Sequence, residues 1–160
     1  MNRKSCQICT DNDAIAAGDD SQAIARLRTG YVKLARVQYI RGYTTFTAKR
    51  CVRELHELEA SERALFMHEM AEVAHALWRA FGPRKLNYEL LGNGEPHLHW
   101  HLFPRYDTDA IPQWPVWSDP QLHDAFGAET PLPESERDAL RVTLLRELLA
   151  SDVKIELTYC

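Results

Sequence analysis

Three of the seven histidines fall within five residues, in the run His97-Leu98-His99-Trp100-His101-Leu102-Phe103 of a 160-residue chain. On a strand, alternate side chains share a face, so His97, His99 and His101 line one side and Leu98, Trp100 and Leu102 the other. The apolar side explains itself as core. The imidazole side does not, because burying three imidazoles together is costly unless each has a partner. One metal cannot serve all three. Side chains on one face stand roughly 6.5–7 Å apart, which separates His97 from His101 by about 13 Å, whereas zinc–nitrogen bonds are about 2.0–2.1 Å. The row must divide its work, with one outer histidine given to a metal and the other two to an anionic substrate. Neutral imidazole is a competent nucleophile near pH 7, and its cation steadies phosphate or protonates a leaving group. Phosphoryl or nucleotidyl transfer is the chemistry this suits. The same spacing puts His101 about 7 Å beyond His99, too far on a regular strand to be its direct base. Just upstream, the turn Gly92-Asn93-Gly94 allows close backbone approach to phosphate oxygens.

The four cysteines are Cys6, Cys9, Cys51 and Cys160. A cytosolic chain of this size neither needs nor easily keeps disulfides. Cys6-x-x-Cys9 reads as half a zinc site, a redox pair or a chance pairing. The redox reading wants a βαβ context, which the polar residues after Cys9 do not supply.

Elements must hold these residues in place. Residues 10–20 form an acidic segment, a short helix or loop after the cysteine pair. Runs 31–35 and 43–47 are β-branched and aromatic, with Arg41-Gly42 as a turn before the second, and read as strands. Ser61 is a plausible N-cap for a helix to Phe81, whose Leu65, Phe66, Met70, Val73, Ala74, Leu77 and Phe81 form one stripe. Run 85–91 alternates with Leu86, Tyr88 and Leu90 on one face, and 97–103 alternates again. Residues 104–134 hold six of the eight prolines and two of the four tryptophans, and read as a long irregular excursion. Within it, Trp114-Pro115-Val116-Trp117 reads first as core packing, with the lining of a base pocket or a dimer seam as the alternatives. A second amphipathic helix follows over about 135–150, with Leu140, Leu144, Leu145, Leu148 and Leu149 as its core edge. Helices on a small antiparallel sheet make this α+β, a single domain over 1–160.

Charge narrows the function further. Nineteen basic against twenty-three acidic residues give a net charge of −4, so the basic excess of a nucleic-acid-polymer binder is missing. No apolar run is long enough to span a membrane. The N-terminal residues carry no signal-peptide core, so a cytoplasmic location is expected.

The stretch Asn87-Tyr88-Glu89-Leu90-Leu91-Gly92-Asn93-Gly94-Glu95-Pro96-His97-Leu98-His99-Trp100-His101-Leu102-Phe103-Pro104-Arg105 resembles the signature of the histidine triad (HIT) superfamily. The likeness extends upstream through Gly42-Tyr43-Thr44 and Lys49-Arg50-Cys51, covers roughly residues 5–117, and is of the bacterial diadenosine-polyphosphate hydrolase-like kind. It implies a five-stranded antiparallel sheet with packed helices, usually as a homodimer. It implies that His99 attacks the α-phosphorus of a nucleotide to form a covalent nucleotidyl-imidazole, which water then cleaves. It gives His101 the phosphate or leaving-group region, and has His97 orient His99 through its backbone carbonyl. Gly92, Asn93 and Asn87 are the implied substrate contacts. The chemistry calls for no catalytic metal.

Zinc-bearing members, including galactose-1-phosphate uridylyltransferases, hold a structural ion at positions that fall here on Cys6, Cys9, Cys51 and His97. A thiolate is as good a zinc ligand as imidazole, so this Cys3His set is sound; His56 is the rival third ligand. His68, His75 and His123 read as solvated. The chain departs from the family at several places. Tyr43 stands where many members have histidine, which removes a polar group near the phosphates. Ala35 stands where many have the acid that holds ribose hydroxyls. The loop before the triad is closer to the uridylyltransferase pattern, but those transferases carry glutamine at the third position. His101 therefore favours a nucleotide hydrolase over a nucleotidyltransferase or phosphorylase using phosphate or a sugar phosphate, and over a nucleotide-binding protein with weak turnover.

Overall fold

The computed structural model of the protein describes residues 3–128 and 131–160. Six strands form one antiparallel sheet: β1 (Ala23–Arg26), β2 (Gly30–Leu34), β3 (Thr44–Ala48), β4 (Lys85–Glu89), β5 (His99–Arg105) and β6 (Leu157–Thr158). Their spatial order is β4-β5-β3-β2-β1-β6. The helices are α1 (Gln7–Ala17), α2 (Ala60–Phe81), α3 (Pro120–Ala128) and α4 (Glu134–Leu149).

The five-strand expectation is corrected to six. The extra strand is two residues of the C-terminal tail laid on β1, with Ala25 opposite Thr158 and Arg26 opposite Leu157. A two-residue strand is too short to carry a period. β1 was also illegible, because its Ala-Ile-Ala-Arg run is buried nearly throughout and shows no alternation.

One face of the sheet carries the main core. Leu98, Trp100 and Leu102 pack there with Phe46, Phe66, Val73 and Leu77, and with Leu140, Leu144 and Leu148 of α4. The expected stripe on α2 is present except at Leu65, which is half-buried and outside this core cluster, while Leu149 of α4 is 62% exposed and does not join it. The N-cap of α2 is Glu59, not Ser61, and makes no side-chain cap bond. Of the residues read on one face of this strand, Leu86 is buried whereas Tyr88 is 47% exposed, because β4 is an edge strand.

Gly42 sits at φ +81, and a Cβ there would come within 2.6 Å of the Phe81 ring. A glycine is required for both reasons. This turn lets the end of α2 dock against the start of β3, which fixes where Tyr43 stands.

The other face of the sheet carries His99, His101 and Phe103. It is covered by α1 and by the segment from 106 to 128, which is more ordered than its prolines suggest. Arg105 holds that segment. Its side chain is 4% exposed and pairs with Asp109 at 2.7 Å. It also donates to Asn87 Oδ1 at 3.0 Å and to the carbonyls of Trp114 and Ile111. Five donors in a fixed fork make one arginine able to pin a loop at several points. A short 3-10 turn at Val116–Ser118 and α3 then follow.

Candidate active site and metal centre

His97 lies just ahead of β5 rather than within it, and the row of three histidines divides as the spacing requires. His97 goes to the cysteines. Its Nδ1 is 3.3 Å from Cys6 Sγ and 3.5 Å from Cys9 Sγ. With Cys51 the four ligand atoms lie within 4.8 Å of one another. A tetrahedral zinc with sulfur at about 2.3 Å and nitrogen at about 2.0–2.1 Å has edges near 3.6–3.8 Å, so the observed cluster is of the right size. His97 Nε2 is 2.7 Å from the Ala48 carbonyl. That bond puts the proton on Nε2 and leaves Nδ1 bare toward the thiols, the arrangement a histidine ligand needs. Burial, then the hydrogen bonds with Cys51 and Cys6, push the Cys9 thiol up to about 12. Thiolates crowded in this way require a compensating cation. His56 is exposed and lies outside the cluster, so Cys51 is the residue brought to the ligand position.

The cysteine pair starts α1, with Cys6 as its N-cap accepting from the Cys9 amide at 3.4 Å. One turn on, the buried Asn12 donates to the Ala48 carbonyl at 2.9 Å and accepts from Thr47 Oγ1 at 2.8 Å. Thr47 is the cross-strand neighbour of His99. The helix that a metal would tie down therefore braces the strand beside the second histidine. Asn12 was missed in the sequence, although its place one turn after Cys9 on a helix was the available signal.

His99 is buried, and its Nδ1 donates to the His97 carbonyl at 2.6 Å. Burial lowers its pKa, opposed by that bond, so the ring is held neutral with Nε2 bare. The 7 Å separation expected between His99 and His101 is corrected here. Their Nε2 atoms are 2.9 Å apart, with ring planes 72° apart and centroids at 4.5 Å. Strand spacing fixes where side chains start, and these two lean together. Burial first, and His99 second, hold His101 down to about 4.

The polar group thought missing at Tyr43 is present. Tyr43 Oη lies 2.6 Å from His101 Nδ1, and its ring stacks on Phe103 with centroids 4.0 Å apart. Trp117 stands edge-on to both His101 and Phe103, and its indole N–H donates to Glu89. Glu89 is directly across from His101 on β4. The Trp-Pro-Val-Trp run thus divides: Val116 is core, Trp117 walls the site, and Trp114 is 65% exposed.

Two cavities flank the pair. One of about 210 Å³ opens on His99 and is lined by Gly92, Pro96, Leu91 and Arg53. Gly92, at φ +72, gives the turn its approach to this cavity. The second, about 660 Å³, lies between α1 and α3 and is lined by Ala35, Tyr43, Asp19, Phe126 and Arg137. Asn93 is exposed on the turn, and Asn87, held by Arg105, lines a different hollow under Trp114. His68, His75 and His123 are exposed, as expected. No helix among the described residues is long and apolar enough to cross a membrane.

No curated relative matches the chain in sequence. Solved structures do match it. A histidine triad protein of Sinorhizobium meliloti is 26% identical with a TM-score of 0.65, covering 79% of this chain and 90% of that one. A hypothetical histidine triad nucleotide-binding protein of Sulfolobus tokodaii shares the fold at 15% identity and a TM-score of 0.67, over 89% and 93% of the two chains. So does a zinc-bound histidine triad family protein of Mycobacterium smegmatis, at 20% identity and a TM-score of 0.61, over 91% and 96%. The HIT domain family matches residues 40–108. The three histidines, spaced and divided in this way, lie within or just ahead of the last strand of that matched stretch, so residues 40–108 carry the HIT domain pattern on the fold that the solved histidine triad proteins share.

Proposed function

We propose that this protein is a nucleotide hydrolase acting at an α-phosphate, of dinucleoside polyphosphates or nucleotide conjugates, through a nucleotidyl-His99 intermediate. The observation that carries this reading is the locked tautomer of His99: its Nδ1 proton is committed to the His97 carbonyl, and its bare Nε2 faces His101 beside an open cavity. In the first step the Nε2 lone pair forms a bond to phosphorus while the bond from phosphorus to the leaving oxygen breaks. A phosphate leaving group departs as an anion. His99 becomes a phosphorylated imidazolium, and His101 turns its N–H from His99 to a phosphoryl oxygen, where charge develops. In the second step water attacks phosphorus, the N–P bond returns its electrons to Nε2, and one water proton leaves to solvent. No step needs a metal.

Zinc is the ion we assign to Cys6, Cys9, Cys51 and His97, in a structural role: it would tie α1 to the strand that carries His99. The zinc-bound Mycobacterium protein supports this choice. Gly92, Asn93 and Asn87 remain the proposed substrate contacts. We read the chain as a cytoplasmic homodimer, in keeping with the exposed Tyr88 on the edge strand.

Incubation with a panel of adenylated and uridylylated compounds, read by product mass with and without inorganic phosphate, tests the reaction. Nucleoside monophosphate formed in water alone supports hydrolysis. Product formed only with phosphate would replace it with a phosphorylase, and no product from any compound would leave a binding protein.

A further inference from the structure

Tyr43 ends a line of hydrogen-bonded groups that runs along the catalytic face. Its hydroxyl lies 2.6 Å from His101 Nδ1, His101 Nε2 lies 2.9 Å from His99 Nε2, and His99 Nδ1 lies 2.6 Å from the His97 carbonyl oxygen. A carbonyl oxygen only accepts, so the proton at that end sits on His99 Nδ1. A nucleophilic His99 then has a bare Nε2. Two bare nitrogens at this distance repel, so His101 Nε2 must carry a proton and donate it. In a neutral ring that leaves His101 Nδ1 bare, facing the phenol, which donates to it. Each proton is placed by the one before.

We propose that Tyr43 is a positioning residue that holds His101 in its Nε2–H tautomer and so keeps a donor, rather than a lone pair, facing the phosphate-bearing nitrogen of His99. Its catalytic consequence rests on the nucleotidyl-His99 reading. The surroundings support it. Tyr43 is 3% exposed, and burial followed by the charge of Glu89 raises its pKa well above the usual phenol range, so it stays an O–H donor. The groups facing His101 from the neighbouring strands are Thr45 on β3 and Glu89 on β4. Among the described residues no carboxylate is hydrogen-bonded to either ring, and the Glu89 carboxylate accepts from Trp117 instead. Tyr43 is therefore the side chain that holds the tautomer from the Nδ1 side, as His99 does from the Nε2 side. With the other tautomer, His101 would present a lone pair to the phosphoryl oxygens and repel them.

Tyr43→Phe removes one hydroxyl and keeps the ring stacked on Phe103. Long-range nitrogen–proton correlation of the histidines reads the tautomer directly, and steady-state kinetics reads its consequence. The wild-type protein should show His101 as Nε2–H. In Tyr43→Phe, His101 should become a mixture of tautomers, and kcat should fall by about 10- to 100-fold with KM within about threefold. An Nδ1–H His101 in the wild-type spectrum, which needs no variant to fold, overturns the proposal. So does Tyr43→Phe with a pure Nε2–H ring and unchanged kcat. A wild-type protein that shows the Nε2–H tautomer but turns over no nucleotide overturns the hydrolase reading and leaves the tautomer assignment supported.

Discussion

The Nε2 atoms of His99 and His101 meet at 2.9 Å although the two residues stand one strand repeat apart on β5. The pair acts as one unit. In the proposed reaction a phosphate at His99 Nε2 would displace the His101 donor from that nitrogen and offer it an oxygen instead, so a hydrogen bond would be exchanged, not lost. Burial lowers the pKa of both rings, and Tyr43, Phe103 and Trp117 form an aromatic wall beside His101.

Removing a metal ligand should cost stability before it costs chemistry. Cys9→Ser is expected to lose bound zinc and several kcal/mol of folding free energy, whereas His56→Ala should keep both. Metal analysis alongside thermal melting checks this. Zinc retained at full stoichiometry in Cys9→Ser, or lost in His56→Ala, contradicts the ligand set.

Arg105 and Asp109 form a buried pair, with side chains 4% and 7% exposed. Arg105→Ala should destabilise the fold by about 3–5 kcal/mol, because it leaves a buried carboxylate unpaired. It should also free the segment that seats Trp117. Arg105→Lys should not rescue it, since an ammonium cannot span the same acceptors. Urea unfolding followed by tryptophan emission measures both effects, and a loss below about 1 kcal/mol would be incompatible with the pinning role.

Stability should fall as pH drops from about 6.5 toward about 4. His101 in the unfolded chain takes up a proton near 6.5, whereas the folded ring resists until about 4. The unfolded state therefore binds more protons in this window, and stability there rises with pH. The contribution is on the order of 2 kcal/mol. Glu89, raised by burial, works in the opposite sense just above its ordinary carboxylate range. Urea midpoints at pH 7 and pH 4.5 should differ less in His101→Gln than in the wild-type protein. An equal pH dependence in the two would remove His101 from the account.

The α+β class, α2, α4 and the division of the histidine row were legible because each rests on a period or a distance limit. Leu98, Trp100 and Leu102 had to face one way, and the span from His97 to His101 had to break the row. What stayed hidden depends on tertiary contact. Nothing in the local pattern says that Arg105 gathers Asp109, Ile111 and Trp114, so residues 104–134 read as irregular. Tyr43 read as a loss because residue type was visible and its 2.6 Å contact with His101 was not. The lean of two imidazoles toward each other also escapes any argument from strand rise alone.

In the proposed reaction His99 carries the nucleotide between two half-reactions. Intact-protein mass spectrometry after brief mixing with a turned-over substrate, kept away from acid because a phosphoimidazole is acid-labile, reads that intermediate. An added nucleoside monophosphate mass should map to His99, decay with product release, and be absent from His99→Asn, which should also lose several orders of magnitude in rate. Turnover near the wild-type rate in His99→Asn would contradict it.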